Sequence, residues 1–175
     1  MNLSAIEMRK RIKAAGLACE SCHYTFREMK ENLEDRIAFA KELGLKQMIC
    51  SSFGLRKEAT MADWVRAAQE LNGIGAKTRQ AGLQAGFHNH ATEFQKIDGE
   101  LVYDKLLSEL DPKLVKMQFQ VSVVSIGFEA AAYMDKYPGQ FDSLHLQDWS
   151  AAEKKQVPVG QGSVDWKKLF ASAKK

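Results

Sequence analysis

LQAGFHNHATEF, residues 83–94, starts as an apolar strand and ends in imidazoles. Successive side chains of a strand point to opposite faces, so Ala85 and Phe87 share one face and His88 and His90 the other. A strand inside a parallel sheet is apolar throughout unless a site lies at its end, since an unpaired buried polar group costs about 1–3 kcal/mol. The stretch therefore reads as a buried strand whose carboxyl end opens onto a polar site. Just upstream, Thr60 with Asp63 three residues on forms a shortened capping box and opens a long helix that runs to Ala81 and Gly82. A helix leading directly into a strand is half of a βαβ unit.

The alternation extends in both directions. Toward the amino terminus lie a helix over Ser4–Ala15 stopped by Gly16, a strand over Leu17–His23, a helix over Met29–Leu43 capped by Gly44, and a strand over Gln47–Ser51. Toward the carboxyl terminus come a helix over Val102–Leu110, a strand over Val115–Val123, a helix over Ala130–Lys136, a strand over Ser143–Leu146 and a helix over Asp165–Ala173. Strands alternating with helices predict an α/β fold, a parallel sheet with helices on its faces, and residues 1–175 read as one domain. On pattern alone, a doubly wound open sheet and a barrel, or part of one, fit equally.

Composition narrows the function. With 45% hydrophobic and 27% charged residues the chain is an ordinary globular protein, and its formal charge of +3 is spread without a basic stripe, which speaks against nucleic acid. The amino-terminal segment, charged at Glu7, Arg9, Lys10, Arg11 and Lys13, holds no apolar run of signal-peptide or membrane-span type, so a cytoplasmic location and no membrane partner are expected. Three cysteines, Cys19, Cys22 and Cys50, do not make a disulfide scaffold. The C-x-x-C spacing of Cys19 and Cys22 suits a redox pair or half a zinc site, but there is no second pair, and two packed thiols are the plainer reading. No G-x-G-x-x-G or P-loop motif occurs. Asn72-Gly73-Ile74-Gly75, the nearest imitation, lies within the long helix and reads as close helix packing.

Polar residues collect at the strand ends. The first strand ends at His23, the third at His88, Asn89 and His90 before Glu93, the fourth carries Gln118, Gln120 and Ser122, and the fifth is followed by Gln147 and Asp148 after His145. Alternation puts Gln118 and Gln120 opposite Met117 and Phe119, and His145 and Gln147 opposite Leu144 and Leu146. In a barrel the polar set lines the interior mouth, where barrel enzymes place their sites. His88, His90, Glu93 and His145 offer ligands for zinc or manganese, or a general base for work on a hydroxyl or ketone. H-x-H on a strand is unspecific, and a hydrogen-bonded polar layer without metal accounts for the same pattern.

GFHNHATEF, residues 86–94, resembles the strand motif of the sugar phosphate isomerase/epimerase proteins, a xylose-isomerase-like barrel family. LNGIGAKTRQAGLQAGFHNH (71–90), the Asp111-Pro112 turn, KYPGQFDSLHLQD (136–148) and VPVGQGSVDWKKLF (157–170) are similar to its segments in the same order. The resemblance implies a TIM-type barrel that uses a divalent metal, manganese, zinc or magnesium, to move protons on a small sugar substrate. By position, the metal ligands are His88 or His90, with Gln120 and His145. Taking His88 as the ligand leaves His90 and Glu93 as catalytic groups, and His23, Gln118 and Gln147 as substrate contacts.

Two departures stand out. Gln120 occupies the place of a ligand aspartate, which weakens a cation site, and Gln147 replaces a lysine able to hold a phosphate. A full barrel of this type needs about 250 residues. The chain thus corresponds to an incomplete barrel of five strands, without the first two and the last, and its two open edges lead us to expect a homo-oligomer. Two functions follow: a metal-dependent isomerase or epimerase acting on a sugar or keto-sugar, or a noncatalytic barrel fragment that binds carbohydrate or self-associates. Cleavage at abasic DNA sites, carried out by endonucleases sharing this barrel, is disfavoured by the charge balance.

Overall fold

The computed structural model describes residues 3–174. Its central sheet comprises β1 (Ser21–Tyr24), β2 (Gln47–Cys50), β3 (Gln84–His88), β4 (Val115–Gln120) and β5 (Phe141–His145), all parallel and in chain order. Around it run α1 (Ala5–Ala14), α2 (Phe26–Glu31), α3 (Leu33–Leu43), α4 (Met61–Gln80), α5 (Val102–Glu109), α6 (Ala130–Lys136) and α7 (Trp166–Ser172). No described helix is long and apolar enough to cross a membrane.

Strand order decides between the two architectures that the pattern allowed. A doubly wound sheet reverses its order at a switch point, whereas here each strand lies beside its predecessor, so right-handed crossovers put the helices on one face. The other face is concave. His23 on β1 bonds to Gln118 on β4 at 2.7 Å, the His23 and His145 rings lie 6.4 Å apart, and Gln47 on β2 donates to Asp142 on β5 at 3.2 Å. Flat strands spaced about 4.8 Å apart would hold the first and fifth roughly 19 Å apart. The sheet is therefore a curved portion of a TIM-type barrel, and among the described residues β1 and β5 each pair on one side only.

Packing follows the pleat. Val115, Met117 and Phe119 of β4 are buried under the helices, while Lys116, Gln118 and Gln120 are half-buried on the concave side. Phe119 joins Phe94, Tyr103 and Tyr133 in a mostly edge-to-face aromatic group beneath the outer helices. In α4, a Cβ on Gly75 would lie 2.7 Å from the Leu114 carbonyl oxygen, so this glycine lets the helix sit on the approach to β4, as the Asn72–Gly75 reading proposed.

Several boundaries differ from the sequence reading. The first strand starts at Ser21, because the carbonyl of Glu20 is where pairing with Lys46 and Gln47 begins. The helix expected over Met29–Leu43 divides at Asn32 (φ −132°), and its first part opens earlier, at a Thr25–Glu28 capping box. β4 stops at Gln120 rather than Val123, and Val121–Ile126 wind into a 3₁₀ helix ended by Gly127 at φ +90°. Short ribbons pair Lys96–Ile97 with Glu100–Leu101 and Asp148–Ser150 with Lys155–Val157.

Gly75→Ala should destabilise the protein by about 1–3 kcal/mol through the clash with Leu114. Gly73→Ala, whose Cβ meets nothing within 4 Å, should stabilise it by about 0.5–1 kcal/mol through helix propensity. Thermal unfolding of the two variants checks this, and shifts of the same sign would refute the packing role of Gly75.

Candidate functional site at the carboxyl ends of the strands

Register assembles the mouth. His88 on β3 pairs with Gln118 on β4, Gln118 with Ser143 on β5, and one layer further out Gln120 pairs with His145. His88 is central and only 2% exposed, with ring centroids 4.8 Å from His23, 4.7 Å from His90 and 5.1 Å from His145. The other three histidines are exposed at the rim. All the strand-end imidazoles expected from sequence thus come together.

The glutamines connect them. Gln118 Oε1 faces His23 Nε2 at 2.7 Å, so in this network that nitrogen carries the proton, and Gln118 Nε2 donates to Ser143 Oγ at 3.2 Å. Gln120 Nε2 donates to Ser122 Oγ and to Gln147 Oε1, each at 2.9 Å. Gln120 Oε1 and His88 Nδ1 are buried without a protein partner. Both sit in the mouth's own side chains, and a buried acceptor left unmade is what a bound ligand satisfies.

Asn89 and Glu93 support the mouth from behind. Asn89 alternates away from the histidines, and its buried Oδ1 accepts from Tyr103 Oη at 3.3 Å and from the Gln120 N–H at 3.1 Å, tying the end of β3 to β4. Glu93 is 1% exposed, and its Oε2 accepts from the His90 N–H at 2.6 Å and from Thr92 Oγ1 at 3.0 Å. Burial raises its carboxyl pKa against the pull of these bonds. The structure thus places Glu93 on the turn that carries His90, bonded to that turn's own groups.

Asp148 is the residue whose importance the sequence reading missed. It is fully buried; Oδ1 accepts from the N–H of Trp149 (2.8 Å) and Val164 (3.3 Å), and Oδ2 from the N–H of Gly160 (2.9 Å) and Gly162 (3.0 Å) and the Trp166 indole (2.9 Å). Burial works to raise its pKa, but these donors, with Trp166 foremost, hold it at about 2. A Cβ on Gly162 would fall 2.2 Å from Asp148 Oδ1, so only glycine lets the loop wrap the carboxylate. The signal was present as a carboxylate followed by G-x-G and tryptophan, but its meaning depends on a loop closing back on itself.

Two of the imidazoles are held neutral. Burial, then the neighbouring rings of His90, His23 and His145, holds His88 down to about 3, and burial with His23 and His90 lowers His145. Both present a lone pair at neutral pH, fit to bind a metal. No group of three His, Cys, Asp or Glu side chains is arranged to hold a metal ion among the described residues. The nearby carboxylates are engaged elsewhere: Glu93 on its turn, Asp148 on its loop and Asp142 on Gln47. His88 and His145 approach ring to ring at 5.1 Å, and Gln120 stands beside His145 in register, which brings two imidazoles and an amide oxygen to this end of the sheet. Such uncharged donors suit zinc better than magnesium, which favours carboxylates.

A singly wound parallel sheet curved around imidazoles and amides at its carboxyl edge is a (β/α)-barrel scaffold with its site on the usual face. The xylose isomerase-like TIM barrel family model matches residues 4–175, and the chain belongs to that family. It is 29% identical over 87 residues to an inosose dehydratase of Clostridium perfringens, covering 49% of this chain and 29% of that protein. An inosose dehydratase of Lacticaseibacillus casei is 25% identical over 99 residues, 56% of this chain and 33% of the relative. The chain thus aligns with about a third of these curated relatives. Among solved structures, a sugar phosphate isomerase/epimerase from Parabacteroides distasonis superposes with a TM-score of 0.84 at 23% identity, covering 98% of this chain and 64% of the other. The IolI protein with a bound zinc atom gives a TM-score of 0.74 at 11% identity, covering 99% and 69%.

Asp148→Asn should lower stability by about 3 kcal/mol, since it returns an N–H₂ to a nest of donors; chemical denaturation measures this. Acid should destabilise the protein through His88. Its pKa is about 3 folded against 6.5 for the free side chain, so the unfolded chain binds more protons as pH falls below 6.5, and stability drops until about pH 3. Asp148 acts in the same direction between 3.8 and about 2. A plot of melting temperature against pH should fall less steeply from pH 6.5 to 4 in His88→Gln than in the wild type; parallel curves would refute the assignment.

Proposed function

We propose that this chain acts on a neutral keto-sugar or cyclic polyol ketone, moving a proton at a carbon beside a carbonyl, as in isomerisation, epimerisation or dehydration. The observation that carries this reading is the meeting of imidazoles and amides from β1, β3, β4 and the end of β5, with Gln120 Oε1 and His88 Nδ1 left for a ligand. Its relatives' names, inosose dehydratase and sugar phosphate isomerase/epimerase, support the substrate class. His90, exposed at the rim and edge-on to His88, is the proton-transferring base, and Glu93 positions it by holding its N–H. His23, Gln118 and Gln147 bind hydroxyls. Gln147 stands where a cation would favour phosphate, so the substrate is unphosphorylated.

His88, His145 and Gln120 Oε1 are the residues that would hold a zinc or manganese ion. Such an ion, when bound, polarises the substrate carbonyl. The free edges of β1 and β5 support pairing between copies, which light scattering would register as a dimer mass.

The test is a panel of unphosphorylated keto-sugars and inososes assayed with added zinc or manganese, beside calorimetric titration of zinc. Turnover should fall at least about 100-fold in His90→Ala. Zinc binding should be lost in His145→Ala. Failure of the wild type to turn over or bind any of these compounds would sink the reading. Binding without turnover would favour a noncatalytic carbohydrate-binding barrel.

A further inference from the structure

Asn89 stands in the chain between two imidazoles of the mouth, His88 and His90, and is fully buried. Along a strand, backbone N–H groups point alternately to its two neighbours. In β4 the Met117 N–H runs to the Gln140 carbonyl on the β5 side, so the Gln120 N–H, three residues on, faces β3. The β3–β4 ladder has already ended, at the His88–Gln118 pair. In place of a strand carbonyl, Asn89 Oδ1 accepts the Gln120 N–H at 3.1 Å. The same oxygen accepts from Tyr103 Oη at 3.3 Å, and Tyr103, itself buried, stacks on Phe94 with ring centroids 4.5 Å apart. Asn89 Nδ2 is buried without a protein partner, so the amide serves through its oxygen alone.

Resting on the reading of Gln120 Oε1 as an ion ligand, we propose that Asn89 is a positioning residue of the mouth, whose side-chain oxygen fixes the end of β4 and with it the place where Gln120 presents that acceptor. Gln120 is the last residue of β4, and the 3₁₀ helix over Val121–Ile126 follows at once. Its side chain uses both N–H groups on Ser122 Oγ and Gln147 Oε1, each at 2.9 Å, which leaves the buried Oε1 as its one open atom. A backbone able to shift at this residue would carry that oxygen away from whatever His88 and His145 hold, as happens when the group behind a ligand is lost. Alanine at position 89 would leave the Gln120 N–H and Tyr103 Oη without their acceptor. Aspartate would supply the same acceptor, but as a buried charge next to His88.

The experiment follows the Gln120 backbone N–H and side-chain NH₂ by NMR hydrogen exchange in the folded protein, beside calorimetric titration with zinc alone. In the wild type the Gln120 N–H should be protected although the β3–β4 ladder has ended. Asn89→Ala should lose that protection, free the Gln120 NH₂ and weaken zinc binding by about 10–100-fold. Asn89→Asp should keep the protection, and it carries the test with the wild type if Asn89→Ala does not fold. Tyr103→Phe removes the other bond to the same oxygen, so it should lower the melting temperature yet leave the Gln120 signals and the zinc affinity as in the wild type. Rapid exchange of the wild-type Gln120 N–H, loss of protection in Asn89→Asp, unchanged Gln120 signals or zinc affinity in Asn89→Ala, or an equal disturbance by Tyr103→Phe would overturn the proposal. A wild type that binds no zinc would sink the reading of Gln120 as an ion ligand, while the exchange data still decide whether Asn89 fixes it.

Discussion

The 2.7 Å contact between His23 and Gln118 joins the first strand of the sheet to the fourth, and it exists only because the sheet curls. Everything in the mouth depends on that curvature. Sequential order with right-handed crossovers keeps helices off the concave face, so inward side chains from non-neighbouring strands approach one another. Gln47 and Asp142 repeat the reach lower down, at 3.2 Å between β2 and β5. An imidazole cluster that no single segment encodes is thereby made from His23 of β1, His88 and His90 at the end of β3, and His145 of β5.

Curvature also sets the chemistry of the cluster. Burial, and then the rings of its three neighbours, hold His88 neutral, and burial with His23 and His90 lowers His145 likewise. A carboxylate among them would reverse that balance, yet each one nearby is drawn off by hydrogen bonds of its own. Asp148 binds a loop, Glu93 a turn and Asp142 the foot of a neighbouring strand. The mouth is left with imidazoles and the amides of Gln118, Gln120 and Gln147. Uncharged polar groups of this kind match hydroxyls and a ketone better than a phosphate.

What could be read from sequence divides along the range of the interactions. Alternation within Gln84–His88 and Val115–Gln120 is local, so the inward set His88, Gln118 and Gln120 was legible, as was the Thr60–Asp63 cap that opens α4. Barrel curvature was not legible from periodicity, because it lies in which strands adjoin, and the resemblance to a barrel family supplied it first. The division at Asn32 was missed although Thr25 and Glu28 have the capping-box spacing, since the apolar face of Leu33–Leu43 masked a second start upstream. The end of β4 was overrun because Val121 and Val123 continue the alternation of a strand while their backbone winds into a 3₁₀ turn.

Asp148 shows the limit most sharply. It follows Gln147 at a strand end and invites reading as a site residue, yet four of its five donors lie 12 to 18 residues further on and turn it into the anchor of a loop. Glu93 is the complementary case, a carboxylate beside two histidines whose bonds run to the backbone behind them. In both, residue type and position suggest chemistry, while the donors around the carboxylate decide its role. Asp148, ringed by N–H donors, is held ionised and fixed, which suits an anchor and not a group that must exchange protons. In the proposed reaction the exposed imidazole of His90, edge-on to His88, transfers the proton, and Glu93 positions it by holding its N–H.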